Sequence, residues 1–470
     1  MNDLLVMKFG GTSMGSAERI RVAASIAAEQ KARRPVLVVV SAMSKVTDLL
    51  LDSLRKAEAG DQADLDSNMG KLRRRHLETC EQLLPAGLCQ EAQSGVSALI
   101  DDFERIANGV LMLGERPPRS LDEAIAIGER LSALMMAAYL ESQVIPATAV
   151  NAAEVIVTDT YFGNASPLLP QTREKAAAVL RPLLERGSLP VVTGFNGATV
   201  DGRPTTLGRG GSDFSASILA AALDASELWI WTDVDGIMTA DPRLVAEAAV
   251  LPEVTYNEAA ELAYNGAKVL HPRTLAPLVE RKIPVWSKNS FDVSKPGTKI
   301  VPALTGGHRG PRAVTSMANV ALVSIEPANP AFSGTKALTA AMGALTRTNA
   351  EILAITSSSY RQSFCFLVRQ EELPRVMERL EDRLAMELAH GYVLPIEVDR
   401  QVGLLAVVGE GMQGTPGVAG RIFTAISREN VNIIAIAQGS SELTIAIVVH
   451  RDGLEKAVRA VHAECGMSAL

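Results

Sequence analysis

The chain has 470 residues, 47% of them hydrophobic and 21% charged, with a net charge of −7. That length exceeds a single core and calls for several domains; the mildly acidic balance argues against nucleic-acid binding, and no apolar run approaches the ~20 residues of a membrane span. The four cysteines, Cys80, Cys89, Cys365 and Cys465, include no CxxC pair, so no zinc site or disulfide framework is expected, and a reducing cytoplasm is the simplest compartment.

Asp3 precedes a short apolar run, so the amino terminus does not read as a secretory signal. That run, Leu4 to Phe9, is the first expected strand. A Gly/Ser turn leads into a helix over Ala17 to Arg33, and Val36 to Val40 is a fully apolar run of the kind found in buried parallel sheets. Similar strands are expected at Leu189 to Thr193, Glu227 to Thr232 and Pro284 to Ser287, with helical patterns between them. Strands alternating with helices predict an α/β domain over residues 1–300, a mostly parallel central sheet with helices on both faces. Residues 46–139 break the rhythm: they read as an inserted set of amphipathic helices, for packing or subunit contact.

A Pro- and Gly-rich linker occupies residues 296–311. Beyond it the sequence repeats. Arg347-Thr348-Asn349-Ala350-Glu351-Ile352 recurs as Arg428-Glu429-Asn430-Val431-Asn432-Ile433. Each copy runs strand, helix, two strands joined by a Ser-rich hairpin, then helix; Ile352 to Thr356 matches Ile433 to Ala437, and Phe364 to Val368 matches Ile445 to Val449. Two small α+β domains are therefore expected, over residues 313–395 and 396–470. Such domains pair through exposed sheet edges, which predicts a homodimer or a higher homo-oligomer.

Three Gly-rich loops follow strands. In Lys8-Phe9-Gly10-Gly11-Thr12-Ser13, glycines at a strand end let the backbone approach an anion and Lys8 stands where a cation neutralises phosphate; a tight turn with a surface lysine is the alternative. In Gly208-Arg209-Gly210-Gly211-Ser212-Asp213, Arg209 suits a carboxylate and Ser212 an N-cap. Two such loops in one α/β domain favour a ligand site over two coincidental turns. The third, Gly409-Glu410-Gly411-Met412-Gln413-Gly414, completes a GxGxxG, but too few residues follow it for a dinucleotide fold. No GxxxxGK[ST] occurs, so a P-loop enzyme is not expected. Trp231-Thr232-Asp233-Val234-Asp235-Gly236 ends a strand in polar residues, where open α/β sheets bind ligands.

KFGGTS (from Lys8), GRGGSD (from Gly208), WTDVDG (from Trp231) with Asp241-Pro242-Arg243, and GAKVLHP (from Gly266) together resemble aspartate kinase, over nearly the whole chain. The resemblance implies the amino-acid kinase fold, with ATP, Mg²⁺ and L-aspartate as reactants and tandem ACT domains in the tail. It assigns Lys8 to the transferring phosphoryl group, Asp213 to holding Lys8, and Gly10 and Gly11 to the phosphates. Thr232, Asp233, Met238, Arg243 and Lys268 would line the ATP site, although family members often carry an aromatic residue where Met238 stands. Arg209 would take the α-carboxylate of aspartate and Glu129 its ammonium; Ser41, Thr47 and Ser212 would seat the substrate. The segment from Ile436 to Glu442 is similar to the second ACT domain of aspartate kinase–homoserine dehydrogenase fusions, which implies an amino-acid effector near Gly411, Gly414 and Gln438, threonine first and lysine second. Ser357 takes the place of Gln438 in the first copy. The alternatives are acetylglutamate kinase, whose substrate lacks the ammonium that suits Glu129, and an inactive amino-acid sensor, disfavoured by intact Lys8, Arg209 and Asp213. The β-carboxylate of aspartate is ionised at pH 7 and needs no general base; alignment and charge neutralisation would carry the reaction.

Overall fold

The structure is a computed structural model that describes residues 3–267, 270–306, 309–328, 334–346, 348, 350–358 and 362–469. The expected site residue Lys268, the repeated Arg347 and Asn349 and most of the loop from Ala328 to Gly334 lie outside the described residues. The chain divides into two compact units: residues 1–237, 252–256 and 270–303, and residues 238–251, 257–269 and 304–470. Among the described residues no helix is long and apolar enough to cross a membrane.

The first unit opens with β1 (Leu5–Phe9), α1 (Ala17–Lys31) and β2 (Val36–Val40). Ser16 caps α1 by accepting from Arg19 N–H. The insert is wholly helical, as its composition predicts: α2 (Val46–Glu58), α3 (Gln62–Leu83), α4 (Ala86–Leu113), α5 (Pro118–Ile125) and α6 (Ile127–Ser142). Then come β3 (Ala147–Val150), β4 (Val157–Thr158), α7 (Leu169–Glu185), β5 (Leu189–Thr193), β6 (Asn196–Thr199), β7 (Pro204–Thr206), α8 (Gly211–Ala222), β8 (Glu227–Thr232) and β9 (Glu253–Thr255). After α9 (Tyr256–Tyr264), the unit closes with α10 (Pro272–Val279), β10 (Val285–Asn289) and β11 (Thr298–Val301).

The main sheet has the order β3-β5-β2-β1-β8-β10-β11-β9. It is parallel except between β10 and β11. β1 and β2 are buried along their whole length, which explains the unbroken apolar run of β2 and leaves Lys8 as the one polar residue of β1. Leu5, Met7 and Phe9 join a core cluster with Val36, Val38, Val40, α1 and the insert. The period of two sends Lys8 to the opposite face, where it meets α8. That alternation sets a cation at the carboxyl end of a buried strand.

The second unit holds two four-stranded sheets. After β12 (Ala313–Met317), the first repeat runs β13 (Val320–Ile325), α11 (Gly334–Leu345), β14 (Ala354–Ser357), β15 (Phe364–Arg369), α12 (Leu373–Arg383) and α13 (Ala385–Ala389). β16 (Glu397–Asp399) precedes the second: β17 (Val402–Val408), α14 (Val418–Arg428), β18 (Ile433–Gln438), β19 (Thr444–His450) and α15 (Leu454–Glu464). The repeat is as expected, but the strand expected from Ile352 begins at Ala354.

The boundary between residues 395 and 396 does not follow the sheets. β12, which precedes the first repeat, pairs with β17 of the second, and β16 completes the first sheet against β13. A strand's partner is chosen by its neighbour's open edge, which sequence order does not reveal. Residues 238–251 and 257–269 also depart from the expected block at 1–300. Thr239 O accepts from Val314 N–H at 2.8 Å, and Thr239 Oγ1 lies 2.9 Å from His462 Nε2. Ala240 and Val245 share a core cluster with Val458 and Val461 of α15. In α9, Glu258 forms a buried ion pair with Arg312 at 2.9 Å and accepts Glu410 N–H at 3.0 Å.

Candidate active site

Four parallel strands, β1, β2, β5 and β8, end together, and the loops after them form the site in the first unit. Lys8 Nζ lies 2.6 Å from Asp213 Oδ1, with the two side chains 10% and 21% exposed. Asp213 stands in the first turn of α8, whose peptide dipoles favour an acid there. The glycine before the helix makes this turn possible: Gly210 adopts φ 69°, and α8 starts directly at Gly211. Ser212, expected as the N-cap, is therefore inside the helix. It packs so closely on the loop after β5 that a Cβ on Gly194 would fall 2.6 Å from its own.

The loop after β1 touches both sides of this pair. A Cβ on Gly10 would sit 3.4 Å from Lys8 Nζ, so the missing side chain keeps the ammonium open. Gly10 N–H donates to Trp231 O at 3.2 Å, which corrects its expected role: it gives space and a strand-end bond, not a donor to phosphate. Gly11 lies against the loop after β2, its Cβ position 3.1 Å from Ala42 O. In that loop Ser41 N–H donates to Phe9 O at 3.1 Å, and Thr47 lies in the first turn of α2.

Glu129 enters from α6. It is 3% exposed, and its carboxylate accepts from Ala42 N–H and from its own N–H. Oε2 has no hydrogen-bond partner, an exceptional state for a buried carboxylate oxygen. Burial pushes the carboxyl up to about 8, against those backbone bonds and the nearby Lys8 charge. The approach of α6 needs Gly128, where a Cβ would meet Ala42 Cβ at 2.8 Å. The resulting constellation is a cation on a carboxylate, exposed Arg209 on the α8 loop, and a buried carboxylate with one unsatisfied oxygen. These groups carry charges complementary to a ligand with phosphate, carboxylate and ammonium groups.

At the end of β8, Thr232 O accepts from Ser290 N–H at 2.9 Å, and Thr232 Oγ1 donates to Asp233 Oδ1 at 3.2 Å. Met238 and Arg243 belong to the second unit. Met238 is half-buried and bridges to Val250; Arg243 is mostly exposed and chelates Asp241 at 2.6–3.1 Å. Sequence reasoning missed two residues that tie down the α8 loop. Asp122 in α5 accepts from Gly163 N–H, Thr206 N–H and Thr206 Oγ1 at 2.7–2.9 Å. Arg273 in α10 donates to Leu207 O at 3.1 Å and Ala165 O at 2.7 Å, and stacks over Phe214. Both act across long sequence separations, and neither stands in a motif.

In the second unit, the expected effector residues are largely engaged. Gly411 bridges to Gly310, Gly414 N–H donates to Glu442 at 2.7 Å, and Gln438 is exposed at the end of β18. A cavity of about 330 Å³ lies in the first repeat, and its lining includes Ser324, Glu326, Ser357, Ser363, Leu394 and Glu397.

Residues 3–289 match the model of the amino acid kinase family, and residues 405–465 an ACT domain model. A chloroplastic bifunctional aspartokinase/homoserine dehydrogenase 1 from Arabidopsis thaliana is 37% identical over 98% of this chain, which spans 51% of that protein. The crystal structure of E. coli aspartokinase III in complex with aspartate and ADP (R-state) superposes with a TM-score of 0.83 at 31% identity, covering 98% of this chain and 99% of that one. The structure of the same E. coli protein in complex with lysine and aspartate (T-state) gives 0.80, again at 31% identity, covering 98% and 99%.

Proposed function

The chain belongs to the amino acid kinase family, in its aspartokinase branch, and from that premise we propose that it transfers the γ-phosphoryl group of ATP to the side-chain carboxylate of L-aspartate. A carboxylate oxygen forms the new O–P bond as the bond to ADP breaks, and ADP keeps the bridging oxygen and its electron pair. The product is an acyl phosphate. The nucleophile is already ionised, so catalysis is positioning and charge neutralisation.

The observation that carries this reading is Glu129. A buried carboxylate with an unpartnered oxygen beside Lys8 suits an ammonium group on the phosphoryl acceptor. Arg209 would then grip the α-carboxylate, with Ser41, Thr47 and Ser212 around the substrate. Lys8, oriented by Asp213, would bear on the phosphoryl oxygens, and Gly11, Thr232 and Asp233 would border the nucleotide. Mg²⁺ would come with ATP, held largely by phosphate oxygens and water, and would supply positive charge to the phosphates. Coupled ADP release with aspartate and with N-acetylglutamate tests the assignment; turnover with the acetylated substrate alone would overturn it.

Feedback by an amino acid fits the tail. Among the described residues, the lining of the first-repeat cavity includes two carboxylates, Glu326 and Glu397, and several hydroxyls. That chemistry favours a basic amino acid such as lysine, reversing the order expected from Gln438. Lysine and threonine, added separately at millimolar concentration, should shift the melting temperature and rate unequally. Free, largely buried thiols at Cys80 and Cys89 suit a reducing compartment.

A further inference from the structure

We infer that Arg75, in the helical insert, is a positioning residue for phosphoryl transfer: it holds the phosphate loop and the substrate loop at their working separation. The inference rests on the kinase reading above. Arg75 projects from the middle of α3 and donates to two main-chain carbonyls, Ser44 O at 2.8 Å and Gly15 O at 3.1 Å. Gly15 closes the loop that begins at Gly10; Ser44 lies between Ser41 and Thr47. One planar guanidinium therefore spans two segments that bear on different reactants. Its fork geometry fixes both acceptors at once, which a lysine ammonium does not.

The two loops are otherwise in tight contact without side-chain filler. Cβ positions on Gly11 and Gly15 would fall 3.1 Å from Ala42 O and 3.6 Å from Ser44 Cβ. Ala42 also donates to Glu129. A shift of the loop after β2 would thus move the substrate seat, the Glu129 carboxylate and the phosphate loop relative to one another. Arg75 is half-buried and has no carboxylate partner among the described residues. A packing role alone would not require a charged side chain there, since burial without a counter-ion costs stability. Chemistry that depends on near-attack geometry loses about a hundredfold for a 1 Å misplacement.

The test compares R75A and R75K with the wild-type protein. R75A should lower kcat roughly tenfold to a hundredfold while each KM changes less than about threefold, because each loop keeps its own binding groups. R75K keeps the charge but reaches one carbonyl, so kcat should still fall at least about fivefold. Millimolar guanidinium should restore part of the R75A rate. Hydrogen exchange should quicken in residues 10–15 and 41–47 of both variants. Wild-type kcat in R75K overturns the inference, as does unchanged exchange in both loops. If R75A does not fold, R75K decides. A wild-type protein inactive on aspartate would sink the kinase reading, and the exchange result would still judge the role of Arg75.

Discussion

Glu129 makes the kinase reading quantitative. With its carboxyl at about 8, only about a tenth is ionised at pH 7 and about a hundredth at pH 6. An ammonium ligand needs the ionised form, so binding aspartate must release a proton. The expected outcome is a kcat/KM for aspartate that rises about tenfold per pH unit from pH 6 and levels off near 8. The KM for ATP should lack this slope. Glu129→Gln should abolish the slope and raise the plateau KM for aspartate about 10- to 150-fold, since a charge-assisted hydrogen bond contributes ~1.5–3 kcal/mol. Linkage gives a second readout. The folded carboxyl titrates above its unfolded value of 4.5, so its contribution to stability is complete below about 4.5 and is lost as pH rises through about 8. In that window the ligand-free protein should lose up to ~1.4 kcal/mol per pH unit relative to Glu129→Gln, and aspartate should reverse the loss. Coupled ADP release and thermal melts across pH 6 to 8.5 measure both effects. A flat kcat/KM profile, or a Glu129→Gln variant with the wild-type KM, would refute the reasoning.

Lys8→Met should reduce kcat by about a hundredfold or more, as expected for one lost electrostatic stabiliser; near-normal turnover in a steady-state assay would remove Lys8 from the mechanism. Arg312→Met removes the buried cation paired with Glu258, which keeps the bond from Glu410 N–H, and should destabilise the second unit by about 3–5 kcal/mol. Denaturant titration reads this, and an unchanged midpoint would mean Glu258 finds water or another donor. We expect assembly through the edge strands β14 and β18, where Ile355 and Ile436 stand exposed at matching positions. Ile355→Glu with Ile436→Glu should lower the mass seen by light scattering; an unchanged mass places the contact elsewhere.

Much of this was legible because the signals are local. Val36–Val40 is apolar throughout because both faces of β2 are covered, and the Leu189–Thr193 and Glu227–Thr232 strands fall where their runs predict. Lys8 and Asp213 were readable as members of two Gly-rich loops, and the sheet brings them together. What escaped is relational. Arg75 and Arg273 look like ordinary polar positions on helices, and their acceptors are main-chain carbonyls that no sequence pattern marks. The N-cap reading of Ser212 failed because a left-handed glycine opens the helix earlier than a side-chain cap would. The motif around Gly411 is marked by its glycines, whereas the cavity in the first repeat is lined by residues from separate strands that no sequence pattern marks.

The crossed strands of the second unit make the duplication inseparable. A cut between residues 395 and 396 would leave one product lacking β16 and the other lacking β12, each with an open sheet edge. Pairing β12 with β17 also closes a long stretch of chain, an entropic cost met before the pairing is rewarded, which slows assembly. The strand exchange therefore ties the two copies together, and separating them would expose a strand edge in each.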